Sequence, residues 1–151
     1  MKIIIELLST VFFVGYLPAS GTFATIAACP VVILISKLNF GYQLVIIFVS
    51  VILSIFLSTY AEEIFGEKDD KRIVIDEFVG FLVASAGLDV SNNMQILLIS
   101  FLLFRMFDIF KFGLINKLQK LSAGLGVTSD DVFAGIITNF IVRLFFKLLQ
   151  L

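Results

Sequence analysis

The stretch IVIDEFVG, Ile73 to Gly80, sets two adjacent carboxylates, Asp76 and Glu77, into an otherwise apolar run. Burying an unpaired ionised carboxylate costs several kcal/mol or more, so a buried pair must be neutralised by protons, a basic side chain or a metal ion. The rest of the chain is read as the apparatus that supplies that partner. In a helix, Asp76, Gly80 and Ala84 fall at i, i+4 and i+8, a stripe of small residues that begins at a carboxylate and permits close helix packing.

The surrounding composition explains why those acids stand out. Of the 151 residues, 60% are hydrophobic and 15% charged, and the mean hydropathy is +1.09. A soluble domain carries roughly 45–50% apolar and about 25% charged residues, so this is the composition of a membrane protein, or something close to one, of one domain, residues 1–151. A net charge of -1 gives no electrostatic basis for binding nucleic acid, whereas phospholipid remains open. The single Cys29 cannot form an internal disulfide. With no histidine in the chain, hydrolysis would have to use carboxylates, hydroxyls, lysine or metal-activated water.

Periodicity predicts an all-α fold, a compact membrane-embedded bundle of apolar helices, several of them short or re-entrant. A helix is expected over Ile3 to Val14, and a turn over Gly15 to Thr22 (GYLPASGT). Phe23 to Ser36 forms a second helix, with Pro30 near its middle. Gln43 to Ala61 is free of charge and close to the roughly 20 residues that cross a bilayer. The charged run Glu62 to Arg72 must then lie in water or headgroups. Further helices are expected over Ile73 to Leu88, Met94 to about Leu118, and Asp131 to about Leu149. The last follows a loop, Ser122 to Ser129, and is capped by Ser129 or Asp130.

Four polar clusters interrupt this background: Asp69 with Asp70, Asp76 with Glu77, Arg105 with Asp108 and Lys111, and Asp130 with Asp131. Three of them have a bland reading, which is harder to sustain for Asp76 and Glu77 because adjacent acids in an apolar run are costly wherever it packs. Asp69 and Asp70 suit a solvated loop, Asp130 and Asp131 suit a helix start, and Arg105 with Asp108 suits an internal ion pair. If consecutive helices form hairpins across the membrane, all four clusters and the glycine turn meet at one face. That face also carries Lys68, Lys71, Arg72, Arg105, Lys111, Lys117 and Lys120, which places it in the cytoplasm by the positive-inside rule. Converging acids with an Arg and a Lys suit a divalent cation and a phosphorylated headgroup. A different membrane phosphotransferase, or a small non-catalytic membrane protein, would share part of this pattern.

The segments LPASGT at Leu17 to Thr22, DDKRIVIDEFVG at Asp69 to Gly80, FRMFDIFK at Phe104 to Lys111 and GLGVTSDDVFAG at Gly124 to Gly135 together resemble the bacterial phosphatidylglycerophosphatase A family, in order and spacing. The resemblance implies Mg2+-dependent removal of the terminal phosphate from phosphatidylglycerophosphate at the cytoplasmic membrane. It implies metal ligands among Asp69, Asp76, Glu77, Asp130 and Asp131, and catalytic roles for Asp76, Glu77, Asp108 and Asp131. Substrate binding falls on Arg105, Lys111, Gly21 and Thr22. Ser20, Asp70 and Phe112 stand where the family tends to have proline, a difference in loop stiffness more than in chemistry.

Overall fold

A computed structural model describes residues 2–110 and 124–148, and among these there are six α-helices and no strands. They are α1 (Lys2–Ser9), α2 (Ser20–Ser36), α3 (Phe40–Phe65), α4 (Ile75–Ala84), α5 (Met94–Phe110) and α6 (Gly124–Leu148), with a 3-10 turn at Val14–Tyr16. The all-helical expectation holds, and α1 and α4 are the short helices. Lys111, Lys117, Lys120 and Ser122, with the expected end of the fifth helix, lie outside the described residues.

The helix ends differ from expectation for local reasons. α1 stops at Ser9 because Val11, Phe12 and Phe13 all take positive φ, which no right-handed helix accommodates. α2 begins three residues early, so Gly21 and Thr22 lie in its first turn and not in the preceding one. Ala19, in the left-handed region, turns the chain, and its carbonyl accepts the Thr22 N–H at 2.9 Å. α3 outruns the expected span at both ends. Asn39 caps its start by accepting the Tyr42 N–H, and Glu62 and Glu63 continue the helix until Gly66 ends it at φ 74°. α4 stops at Ala84, short of the expected Leu88, with Gly87 at φ 62° just beyond.

The largest correction concerns α6. Its first turns occupy the expected loop, so Ser129 and Asp130 sit inside the helix and not at its N-cap, and Asp130 and Asp131 are 1% and 2% exposed. Burial against α3 overrides the glycines' poor helix propensity. The Gly124 N–H bonds Thr59 Oγ1 at 3.2 Å, and Ser54 Oγ meets Thr128 Oγ1 at 3.0 Å. These contacts run α6 antiparallel to α3.

α4 lies at the centre, packed on α6, α2, α3 and α5. The stripe of Asp76, Gly80 and Ala84 faces a second stripe of Asp131, Gly135 and Asn139, and the two helices run parallel. A Cβ on Gly135 would stand 2.4 Å from the Gly80 carbonyl oxygen, so backbone meets backbone here. Asn139 Nδ2 closes the seam by donating to the Ala84 and Ala86 carbonyls, each at 2.9 Å. Phe81 and Phe104, both fully buried, fill the core beside it with ring centroids 5.8 Å apart.

One described helix, α3, is long and apolar enough to cross a membrane: 26 residues make about 39 Å, against roughly 30 Å of hydrocarbon. Only 28% of its most apolar window is buried. Its outward row, Leu44, Phe48, Ile52 and Phe56 among others, is exposed, as are Phe140 and Leu144 on α6. α4, at ten residues, makes about 15 Å and cannot span.

Candidate active site

The seam between α4 and α6 ends in carboxylates. Asp76 and Glu77 occupy the first turn of α4, and Asp131 the second turn of α6. Ligand-capable atoms of the three lie within 4.8 Å of one another. Asp108 on α5 and Asp130 add to the negative field around Asp76. Proximity of this kind comes from the Gly80–Gly135 contact, since larger residues would hold the two helix starts apart.

Burial pushes the Asp76 carboxyl well above its ordinary range, and the charge of Glu77 adds to this. Glu77 is pushed up to about 7, again chiefly by desolvation, with a hydrogen bond from Asp76 and the charge of Arg105 acting against it. The linkage sign follows. A carboxyl whose folded pKa is raised binds more protons folded than unfolded, so stability falls as pH rises from the unfolded value near 4.5 towards 7. We expect the metal-free chain in detergent and EDTA to melt at a lower temperature at pH 8 than at pH 5. Added Mg2+ should recover the difference at pH 8 and do little at pH 5. A melting temperature that rises with pH in EDTA contradicts this electrostatic picture.

The acids fit a cation. Asp76 Oδ1 and Glu77 Oε2 are buried with no hydrogen-bond partner. A buried carboxylate oxygen left without a donor is costly, and a hard divalent ion with oxygen ligands removes that cost. Asp76, Glu77 and Asp131 are the residues able to hold it.

A basic cavity adjoins the acids. It has a volume of about 640 Å³ and lies between the segment Gly15 to Thr22, Lys71 and Arg72, and Arg105 and Ile109 of α5. Gly21 lines the cavity and abuts the acids as well: a Cβ there would lie 2.2 Å from Glu77 Oε1 and 3.1 Å from Arg105 Nη1. Arg105 is held by Asp108, one helical turn on, through its Nη1, while its Nε is buried without a partner. Thr22 lines the same cavity.

The expected residues thus converge in part. Asp76, Glu77 and Asp131 form one group, Asp108 and Asp130 stand close enough to raise Asp76 or Asp131, and Arg105, Gly21 and Thr22 bound the adjoining cavity. Lys111 is outside the described residues. Asp69 is exposed, its backbone N–H bonded to Glu62 Oε1 at 2.9 Å, and lies outside the three-acid group. Its neighbour Asp70 is instead the buried one, 6% exposed and paired with Arg72, whose guanidinium holds that carboxyl below the usual range. Sequence alone does not mark Lys71 and Arg72 as site residues. The alternation of acids and bases in Asp69 to Arg72 is equally that of a solvated loop, and only the fold turns it towards Arg105.

A buried carboxylate cluster able to hold a metal ion, beside a basic cavity in an apolar helical protein, suits an enzyme acting on phosphate esters. A family model described as Phosphatidylglycerophosphatase A matches residues 7–146. A protein of Haemophilus influenzae named Phosphatidylglycerophosphatase A is 36% identical over 141 residues, covering 91% of this chain and 86% of its own. One of the same name from Escherichia coli K12 is 28% identical over 135 residues, covering 88% and 78%. A Bacteroides thetaiotaomicron protein named Putative phosphatidylinositol-3-phosphatase is 37% identical over 76 residues, half of this chain and 47% of its own. No solved structure gives a significant match. The chain belongs to the phosphatidylglycerophosphatase A family and is an enzyme, a phosphatase.

Proposed function

We propose that the protein hydrolyses phosphatidylglycerophosphate to phosphatidylglycerol and inorganic phosphate, with Mg2+ held by Asp76, Glu77 and Asp131, at the cytoplasmic face of the bacterial inner membrane as a step of phospholipid synthesis. The observation that carries this reading is the pair of buried, unpartnered carboxylate oxygens on Asp76 and Glu77, set one glycine away from a cavity lined by Arg105. The relatives' names supply the substrate.

Divalent metal, when bound, supplies positive charge against the phosphate oxygens and makes water a better nucleophile. The chain supplies the rest. Arg105, oriented by Asp108, faces phosphate with a planar fork of donors that suits its oxygens. The missing side chain at Gly21 leaves room for the Glu77 carboxylate and the Arg105 guanidinium to stand side by side at the cavity wall. One P–O bond forms to water and the P–O bond to the glycerol oxygen breaks; a carboxylate of the cluster accepts the water's proton, and the departing glycerol oxygen gains one. Exposed apolar rows on α3 and α6 would keep the acyl chains and the protein in one bilayer.

The test is phosphate release from phosphatidylglycerophosphate in mixed micelles with Mg2+, with excess EDTA, and with Mg2+ restored. Release should fall to background in EDTA and return with the metal. Full release in EDTA overturns the metal, and no release in Mg2+ overturns the substrate. Phosphatidylinositol 3-phosphate is the comparison lipid that the Bacteroides relative's name suggests, since it also carries a phosphate monoester on a phospholipid headgroup.

A further inference from the structure

The basic cavity is larger than one phosphate needs, and it carries cations at two places. Arg105 stands at the wall shared with the acids, beside Gly21. Lys71 and Arg72 form a separate part of the wall, on the segment between α3 and α4. That segment is held in place: Ser20 Oγ donates to the Lys71 carbonyl at 2.9 Å, and the Val74 N–H bonds the Ser9 carbonyl at 3.0 Å. The Arg72 guanidinium is braced by Asp70 and Phe65, and Tyr16 of the cavity wall also stands against it, its ring centroid 5.9 Å from Cζ. Arg72 Nε and Nη2 donate to Asp70 at 2.8 and 2.5 Å, and Cζ lies 4.0 Å from the Phe65 ring centroid. A fork braced in this way leaves Nη1 as the end that Asp70 does not engage, and Lys71 beside it is exposed and adds a full charge. The Arg72–Asp70 pair is close to neutral, so the net charge of this wall comes from Lys71. One positive charge with one or two directed donors matches a singly charged phosphodiester, whereas the doubly charged monoester needs the metal and Arg105.

We propose that Lys71 and Arg72 form a second anion subsite, which binds the phosphodiester linking the substrate's headgroup to its diacylglycerol while the terminal phosphate sits at the acids. This rests on the phosphatase reading above and deepens it: the enzyme selects lipids that carry both a diester and a terminal monoester phosphate. A cavity of about 640 Å³ lies within the range of roughly 300–1,000 Å³ usual for small-molecule sites and accommodates two phosphates on a short polyol. Phosphatidic acid, whose one phosphate is a monoester directly on diacylglycerol, leaves the second subsite empty and is discriminated against.

Two measurements on the full chain in detergent test this. First, kcat/KM for phosphatidylglycerophosphate is divided by that for phosphatidic acid. In Lys71→Ala the ratio should fall about tenfold, the size of one charge-assisted hydrogen bond, through KM for the diester-bearing lipid. A ratio that stays constant, with both lipids slowed alike or neither slowed, overturns the subsite and leaves the proposed function standing. Second, binding of soluble glycerophosphoglycerol, a phosphodiester with no monoester, is followed by 31P line broadening in EDTA. The natural chain should broaden the resonance and Lys71→Ala should not; Arg72→Lys, which keeps the charge and loses the fork, should fall between. Broadening that survives Lys71→Ala overturns the subsite. If the natural chain releases phosphate from neither lipid, the proposed function fails, and the resonance measurement still judges the subsite by itself.

Discussion

Replacing Asp76 by asparagine should reduce phosphate release by roughly 10³-fold or more, the order seen when a group acting at the reacting centre is lost. The chain should nonetheless remain folded. Asparagine keeps the shape and removes a carboxyl that burial and Glu77 together force far from its ordinary protonation behaviour. Breaking an ion pair strands a charge, but among the described residues Asp76 is in no ion pair, and an asparagine amide can still donate to Glu77, the hydrogen-bond partner of Asp76. In EDTA at pH 8 the variant should therefore melt at or above the natural chain's temperature, and Mg2+ should no longer shift its melting. Glu77→Gln should behave in the same direction. Loss of activity accompanied by unfolding would make these acids structural, and near-normal turnover in both variants would remove the metal centre.

The part of this site that sequence reveals is the part where chemistry and apolar context conflict. Asp76 and Glu77 announce themselves because acids in an apolar run are costly wherever the run packs. The two small-residue stripes are equally visible, since steps of four from Asp76 and from Asp131 need only helical periodicity. Their facing each other is tertiary: Gly80 against Asp131 and Gly135 against Gly80 are contacts that no local pattern encodes. Helix ends are the weak point for a physical reason. The GLGVTS run has the composition of a loop, and only burial against Thr59 and Ser54 of α3 makes it helical. Gly21 and Thr22 likewise read as turn residues until Ala19 takes up the turn. Choosing Asp69 over Asp70 is beyond sequence altogether, because the two are adjacent and the fold buries just one.

Placing a methyl group at Gly135 tests how the acids are brought together. In Gly135→Ala the new Cβ would meet the Gly80 carbonyl oxygen at 2.4 Å, with the Ala84 nitrogen and Val83 Cβ each at 3.1 Å. Two of these three are backbone atoms, so no rotamer change relieves the clash, and α4 and α6 must separate. Asp76 and Glu77 ride on one helix and Asp131 on the other, so the carboxylates move apart with them. Displacements of about 1 Å at a reacting centre can cost about 10²-fold in rate. The expected outcome is a fall of that order in phosphate release, a weaker Mg2+ dependence of melting, and a melting temperature lower by several degrees, as a strained core substitution gives in a domain of this size. Gly135→Leu should go further and leave little folded protein in the membrane fraction. The control is Ile136→Ala, one residue along on the exposed face of the same helix, which should change neither activity nor melting by much. If Gly135→Ala retains full activity, full metal response and its melting temperature, the α4–α6 contact does not set the geometry of the acids, and the three carboxylates must be brought together by something other than this seam.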